Sequence, residues 1–222
     1  MDVGRLARWY RWIEYAAFER ALERSRLAFL DKLAGARRVL ILGEGDGRTL
    51  QRLLALAAEA RFDVVESSAE MIALARARIG NTARVRFQCQ DALTATFPQA
   101  AYDGVVTCFF LDCFTESELR DLLQRVQSAL NPGAIWLLSE FAIPARGWQR
   151  WYAKIWIWTM YRFFQATTSL RTRRLAPIER LLSEFGMHSV AFRRQRWGMI
   201  VSEVLEFQPA SVRNSIKRAG HH

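Results

Sequence analysis

Cysteine and histidine are scarce in this chain. Its three cysteines, Cys89, Cys108 and Cys113, and its three histidines, His188, His221 and His222, show no metal-ligand or disulfide spacing. Zinc modules and disulfide-stapled folds are therefore set aside, and no metal is expected. Cys89 and Cys108 fall in expected core strands and read as buried free thiols of a reducing compartment. Long apolar runs are missing too. No stretch reaches the ~18 to 20 uncharged apolar residues that a transmembrane helix needs. The opening Met1-Asp2-Val3-Gly4-Arg5 lacks the apolar core and cleavage site of a secretory signal, so a cytoplasmic location is expected. Internal repeats and low-complexity tracts are absent. Acid is in short supply: 22 Asp and Glu stand against 32 Lys and Arg, a formal net charge of +10. A surplus of that sign asks for nucleic acid, an anionic membrane surface or an acidic substrate, unless arginine is used here wherever a solvated cation suffices.

What is present is an ordinary globular composition, 51% hydrophobic and 24% charged over 222 residues, enough for one domain with a substantial core. The most informative segment is Val39-Leu40-Ile41-Leu42-Gly43-Glu44-Gly45-Asp46-Gly47-Arg48. Four apolar residues read as a buried parallel strand, a glycine turn follows, and a helical pattern starts at Thr49. Strand, glycine turn and helix open a nucleotide-binding α/β sheet. The spacing is G-x-G-x-G, with Arg48 where the dinucleotide fingerprint G-x-G-x-x-G has its third glycine. That points away from a nicotinamide dinucleotide.

The following strands come in order: Phe62–Glu66, Val85–Ala92, Tyr102–Phe110 and, after an Asn131-Pro132-Gly133 turn, Ala134–Glu140. Strand and helix alternate, which implies a parallel sheet. A helix capped by Thr115 runs to Leu130, a further helix spans Pro177 to Phe185, and Ser189–Arg196 with Met199–Phe207 read as a closing antiparallel pair. Residues Leu6 to Leu33 read as helix broken near Ala16-Ala17.

With Gly43, Gly45, Gly47, Glu66, Asp91, Asp103 and Asn131-Pro132-Gly133 in that order, the chain resembles class I S-adenosylmethionine-dependent methyltransferases from about Val39 to Glu140. The resemblance implies a doubly wound, seven-stranded, mostly parallel Rossmann-like sheet with S-adenosyl-L-methionine as cofactor. It implies that Gly43, Gly45 and Gly47 line the cofactor with bare backbone. Glu66 would accept from the ribose hydroxyls, Ser67 and Met71 would flank the adenine, and Asp91 with the Ala92 amide would meet the adenine amino group. The family has an acid two residues before the first glycine, where this chain has Ile41. Glu44, inside the turn, is the candidate replacement for holding the cofactor's ammonium.

On the acceptor side, Thr107–Phe114 follows strand four at the carboxyl edge, where ligands bind in such sheets. Phe109, Phe110 and Phe114 suggest an apolar or aromatic acceptor, with Phe109 also reaching the cofactor. The segment lacks the Asn-Pro-Pro-Tyr or Asp-Pro-Pro-Tyr tetrapeptide that similar enzymes use on base amino groups, so no specific nucleic acid is expected. Asp112 is the first candidate general base and Glu140 the second. Residues 144–175 form an insertion rich in tryptophan, with Arg146, Arg150, Lys154 and Arg162 at multiples of four. That composition fits an interfacial helix over 146–164 on anionic lipid, a roof over a greasy substrate pocket, or a buried lid. Glu140-Phe141-Ala142-Ile143-Pro144, the aromatic insertion and Trp197-Gly198-Met199 resemble the ubiquinone/menaquinone C-methyltransferase branch. The expected enzyme methylates a small hydrophobic acceptor. An RNA methyltransferase and a non-catalytic cofactor-binding protein associated with a membrane or a partner are the alternatives. The expected organisation is one domain over 1–210, comprising an N-terminal helical lid (1–35), a cofactor half (36–143), the insertion (144–175), and the last helix with the hairpin (176–210). A basic tail, 211–222, follows.

Overall fold

The computed structural model describes residues 20–142, Trp151 and residues 177–209. The start of the N-terminal helical stretch, the insertion other than Trp151, and the basic tail lie outside the described residues. Within them, helical residues 20–26 (α1) do not run on to Leu33 as expected. The chain turns through Phe29, at a φ of 64°, into a short 3-10 turn over Leu30–Leu33. Leu30 and Leu33 are both buried, and the three-residue period of a 3-10 turn sets them on one side, against the sheet.

The elements then follow as β1 (Arg38–Leu42), α2 (Arg48–Leu56), β2 (Arg61–Glu66), α3 (Ala69–Ile79), β3 (Val85–Cys89), β4 (Tyr102–Cys108), α4 (Glu116–Ala129), β5 (Leu130–Phe141), α5 (Ile178–Glu184), β6 (Met187–Gln195) and β7 (Ile200–Phe207). They make one seven-stranded sheet in the order β3-β2-β1-β4-β5-β7-β6. Pairings among β1 to β5 are parallel, and β7 runs antiparallel between β5 and β6. The expected doubly wound, mostly parallel sheet with its closing antiparallel pair is therefore the observed one.

The period of two in a strand divides the core. In β1, Val39 and Ile41 face one apolar cluster while Leu40 and Leu42 face the other. In β4, Val105 and Val106 split in the same way, as do Trp136 and Leu137 in β5. Strands apolar on both faces require helices on both sides. Leu50 and Leu53 of α2 cover one face, and Leu119, Leu122, Leu123 and Val126 of α4 cover the other. Each such side chain contributes roughly 1.5 to 3 kcal/mol by leaving water.

Three local readings need correction. Cys89 is exposed, because β3 is an edge strand and the residue ends it, and Cys108 is only half-buried. β3 stops at Cys89, so Asp91 and Ala92 lie in the turn beyond it rather than in the strand. Asn131-Pro132-Gly133 is not a separate turn before β5 but an irregularity inside it. Tyr102 pairs with Leu130 and Gly104 with Ile135, so the extra residues bulge out. Asn131 is held there by its side-chain amide, which donates to Asp103 Oδ1 at 2.8 Å. Asp103 Oδ2 accepts from the backbone N–H groups of Arg37 and Arg38. Partial burial opposes ionisation, yet the Asn131 and backbone hydrogen bonds hold the Asp103 carboxyl below its usual range. Two residues of the sequence motif thus clamp the amino ends of β1, β4 and β5, far from the carboxyl edge.

Candidate cofactor and acceptor site

The strand order reverses between β1 and β4, and the carboxyl ends of the parallel strands open there. Gly43, Gly45 and Gly47 all have positive φ, at 67°, 70° and 86°. Their surroundings differ. A Cβ on Gly43 would overlap the Phe110 ring. One on Gly47 would lie 2.7 Å from Ala75 Cα, so that glycine lets α2 start against α3. Only at Gly45 would a Cβ meet nothing within 4 Å. Of the three, Gly45 alone presents bare backbone to open space. Asp46 fixes the turn from outside through ion pairs with Arg48 and Arg78, each at 2.9 Å.

Glu66 ends β2 beside this opening. Its Oε2 accepts from the Gly45 N–H at 3.1 Å and its Oε1 from the Ser68 N–H at 3.0 Å. A carboxylate has about four lone-pair sites, so acceptor capacity remains. Ser67 and Met71 stand exposed on the same rim, Met71 at 40%, so Met71 is not part of the helix core. Asp91 Oδ1 accepts from the Leu93 N–H at 2.9 Å and closes a turn whose Ala92 is buried.

Glu44 is 7% exposed, and its Oε1 accepts from the Leu50 N–H at 2.8 Å. The carboxylate caps the start of α2, where the helix dipole favours negative charge. Burial pushes its pKa up to about 7, against the pull of the Leu50 hydrogen bond and of the Arg26 charge. The expected replacement for the family acid is committed to the helix through this oxygen.

The acceptor side forms around a short 3-10 turn over Leu111–Cys113. Phe109 precedes it at a φ of 54°, with its N–H donating to Ser139 O at 2.7 Å and its ring 4.6 Å from that of Phe141. Phe109 thereby packs against the small apolar cluster of Ala21, Met199 and Ile200. Phe110 and Phe114 meet edge to face at 5.0 Å. Asp112 and Glu140 are both buried, at 4% and 6% exposure. Glu140 Oε1 accepts from the N–H groups of Phe110 and Leu111 at 3.2 and 2.9 Å, while Oε2 is buried without a hydrogen-bond partner. Desolvation, then the nearby Asp112 charge, raises the Glu140 pKa well above the carboxylate range. The two acids that the sequence separates by 28 positions thus interact across the turn.

Residues 39–133 match a family profile described as a methyltransferase domain. The chain carries a methyltransferase domain over these residues. No curated protein sequence matches the chain. Among solved structures, it is similar to the N-methyltransferase NodS of Bradyrhizobium japonicum with bound S-adenosylhomocysteine, with a TM-score of 0.64 at 14% identity over 85% of this chain and 88% of that one. It is also similar to the 1,6-didemethyltoxoflavin-N1-methyltransferase of Burkholderia thailandensis, with a TM-score of 0.63 at 19% identity over 93% and 87%. Human N-acetylserotonin methyltransferase in complex with its cofactor gives a TM-score of 0.61 at 17% identity, over 84% of this chain and 52% of that one. At these identities the likeness concerns the fold.

The methyltransferase cleft fits its cofactor. Gly45 leaves room for a ligand to approach the backbone, Glu66 carries spare acceptor sites next to it, and Ser67, Met71 and Asp91 are exposed, while Ala92 is buried in the core. Among the described residues no cluster of His, Cys, Asp and Glu could hold a metal ion, and no helix is long and apolar enough to cross a membrane. Sequence reasoning missed two features. One is the Phe110 ring on Gly43, which links the acceptor turn to the glycine turn. The other is α1, whose Ser25 carbonyl accepts from both Ser139 and Ser202 hydroxyls at 2.9 and 3.1 Å. Nothing in the spacing of these serines marks them, because they meet only when β5 and β7 pair.

Proposed function

We propose that this methyltransferase methylates a small, apolar or aromatic acceptor lodged beside the turn after β4. The observation that carries the reading is the Phe110–Phe114 pair set against two buried, interacting carboxyl groups. The small-molecule acceptor named for the toxoflavin methyltransferase and the acetylserotonin named for the human enzyme support the substrate class. Bound S-adenosylmethionine supplies an electrophilic methyl group. Glu66 would hold the ribose hydroxyls, Gly45 the close approach of the ligand, and Met71, Ser67, Asp91 and Ala92 the adenine. The phenylalanines exclude water and orient the acceptor. Asp112 is the group proposed to take the acceptor's proton, and Glu140 fixes the turn that carries it. A quinone-type ring is the finer reading of the acceptor. It rests on Glu140-Phe141-Ala142-Ile143-Pro144 and on the Trp197-Gly198-Met199 hairpin end, whose Met199 carbonyl accepts from the Ala142 N–H at 2.9 Å.

The test is transfer of a radiolabelled methyl group to an organic-solvent extract of cells and, in parallel, to total RNA. Label should enter the organic-soluble fraction and be lost in Asp112→Asn. Label confined to RNA would overturn the proposal, and so would labelling by Asp112→Asn at the wild-type rate as far as the base is concerned.

A further inference from the structure

Arg26 closes α1, and the buried serine cluster fixes its place. Ser25 is fully buried, and its carbonyl receives the hydroxyls of Ser139 on β5 and Ser202 on β7. The residue that follows is thereby held over the carboxyl ends of the central strands. The Arg26 guanidinium lies 5.7 Å from the centroid of the Phe109 ring, just past β4. Its charge acts on Glu44 in the glycine turn and on Cys108 at the end of β4. Arg26 Nε is buried and has no hydrogen-bond partner. A buried donor left without an acceptor costs about 1 to 3 kcal/mol, more when charged, so a ligand that brings an acceptor to this position gains by satisfying it. Glu44 does not supply it, since Glu44 Oε1 is bonded to the Leu50 N–H and no hydrogen bond joins the two side chains.

The ligand of this cleft is zwitterionic at its amino-acid end. A guanidinium has five donors and no acceptor, so it matches a carboxylate and repels an ammonium. We propose that Arg26 binds the carboxylate of the cofactor's methionine moiety, which makes α1 a wall of the cofactor site rather than a lid outside it. This rests on the cofactor assignment. It places the recognition of one end of the ligand on a helix that precedes the family-matched segment, 39–133. The half-buried Phe109 ring beside the guanidinium and the serine clamp hold the side chain in place for planar, two-point contact.

Isothermal titration with S-adenosylmethionine and with decarboxylated S-adenosylmethionine, which differ by the carboxylate alone, tests it. Wild type should prefer the complete cofactor. Arg26→Gln should weaken that ligand by roughly 10- to 100-fold, the worth of a charged hydrogen bond, and leave the decarboxylated one unchanged. Arg26→Lys keeps the charge without the fork and should recover part of the loss. It also carries the comparison if the glutamine variant fails to fold. Equal losses on both ligands, or none, would overturn the role of Arg26 while leaving the cofactor assignment standing. Wild type binding neither ligand would overturn the cofactor assignment itself, and this proposal with it.

Discussion

At the residue scale, the glycine turn separates roles that the sequence writes identically. Gly47→Ala should destabilise the fold, because its Cβ would press on Ala75 at 2.7 Å and its φ is 86°. Gly45→Ala has free space and a φ of 70°, so only the strain of a left-handed alanine remains, about 1 to 2 kcal/mol. Thermal unfolding together with cofactor titration should show Gly45→Ala folded but weak in binding, and Gly47→Ala losing more stability than that. Glu66→Ala should weaken cofactor binding by about 1.5 to 3 kcal/mol, measured by calorimetry, with no effect if Glu66 merely ties Gly45. Glu44 gives a pH signature. Its folded pKa, near 7, lies above the unfolded value of 4.5, so the folded state holds the proton more tightly. Stability tied to that proton is full below the unfolded value and falls as pH rises through about 7, by an amount of order a few kcal/mol. Glu44→Gln keeps an acceptor for the Leu50 N–H and does not titrate. Urea unfolding of the variant between about pH 5 and 8 should show a shallower decline than wild type.

At the element scale, strands and caps were the legible part and loops the illegible part. Thr115 was readable as an N-cap, and it forms a full capping box with Glu118, whose carboxylate accepts from the Thr115 N–H at 2.9 Å. Thr115→Ala should cost about 1 kcal/mol and lower the melting temperature by roughly 2 to 4 °C. A neutral result would mean that α4 is fixed by its buried leucines alone. β1 was readable because both its faces are apolar. The end of β3 was not, because an edge strand stops where its single neighbour stops, and no residue announces that. The break at Phe29 was equally hidden. A 3-10 turn there follows from where Leu30 and Leu33 must reach the sheet, not from any local breaker.

At the scale of the whole molecule, the charge of +10 should produce polyanion binding without specificity. Filter binding to RNA should be weak and should fade by ~200 mM salt, since counterion release governs such contacts. Affinity that persists there and depends on sequence would favour the nucleic-acid alternative. Anionic liposomes separate the membrane reading of 146–164. Co-sedimentation should be lost when Arg146, Arg150 and Lys154 are replaced by glutamate, each cation contributing about 1 kcal/mol at an anionic surface. Trp151, the described residue of that segment, is 70% exposed, which suits either lipid or substrate contact.

The sequence by itself determined the alternation of strands and helices and, through its resemblance to methyltransferases, the winding of the sheet and the cofactor type. The alternation follows from short-range information, apolar runs and the turns between them, and the resemblance rests on glycines at fixed steps and acids at strand ends. The tertiary structure decided which of these residues reach the cleft. It sent Asp103 and Asn131 to the opposite edge, bound Glu44 to a helix and packed Phe109 against a small apolar cluster. It brought Asp112 to Glu140, and Arg26 to the glycine turn. Such pairings depend on which strands become neighbours and how far each side chain extends into a shared interior. Two residues far apart in the chain acquire a common dielectric and a common hydrogen-bond partner only after the sheet has closed around them.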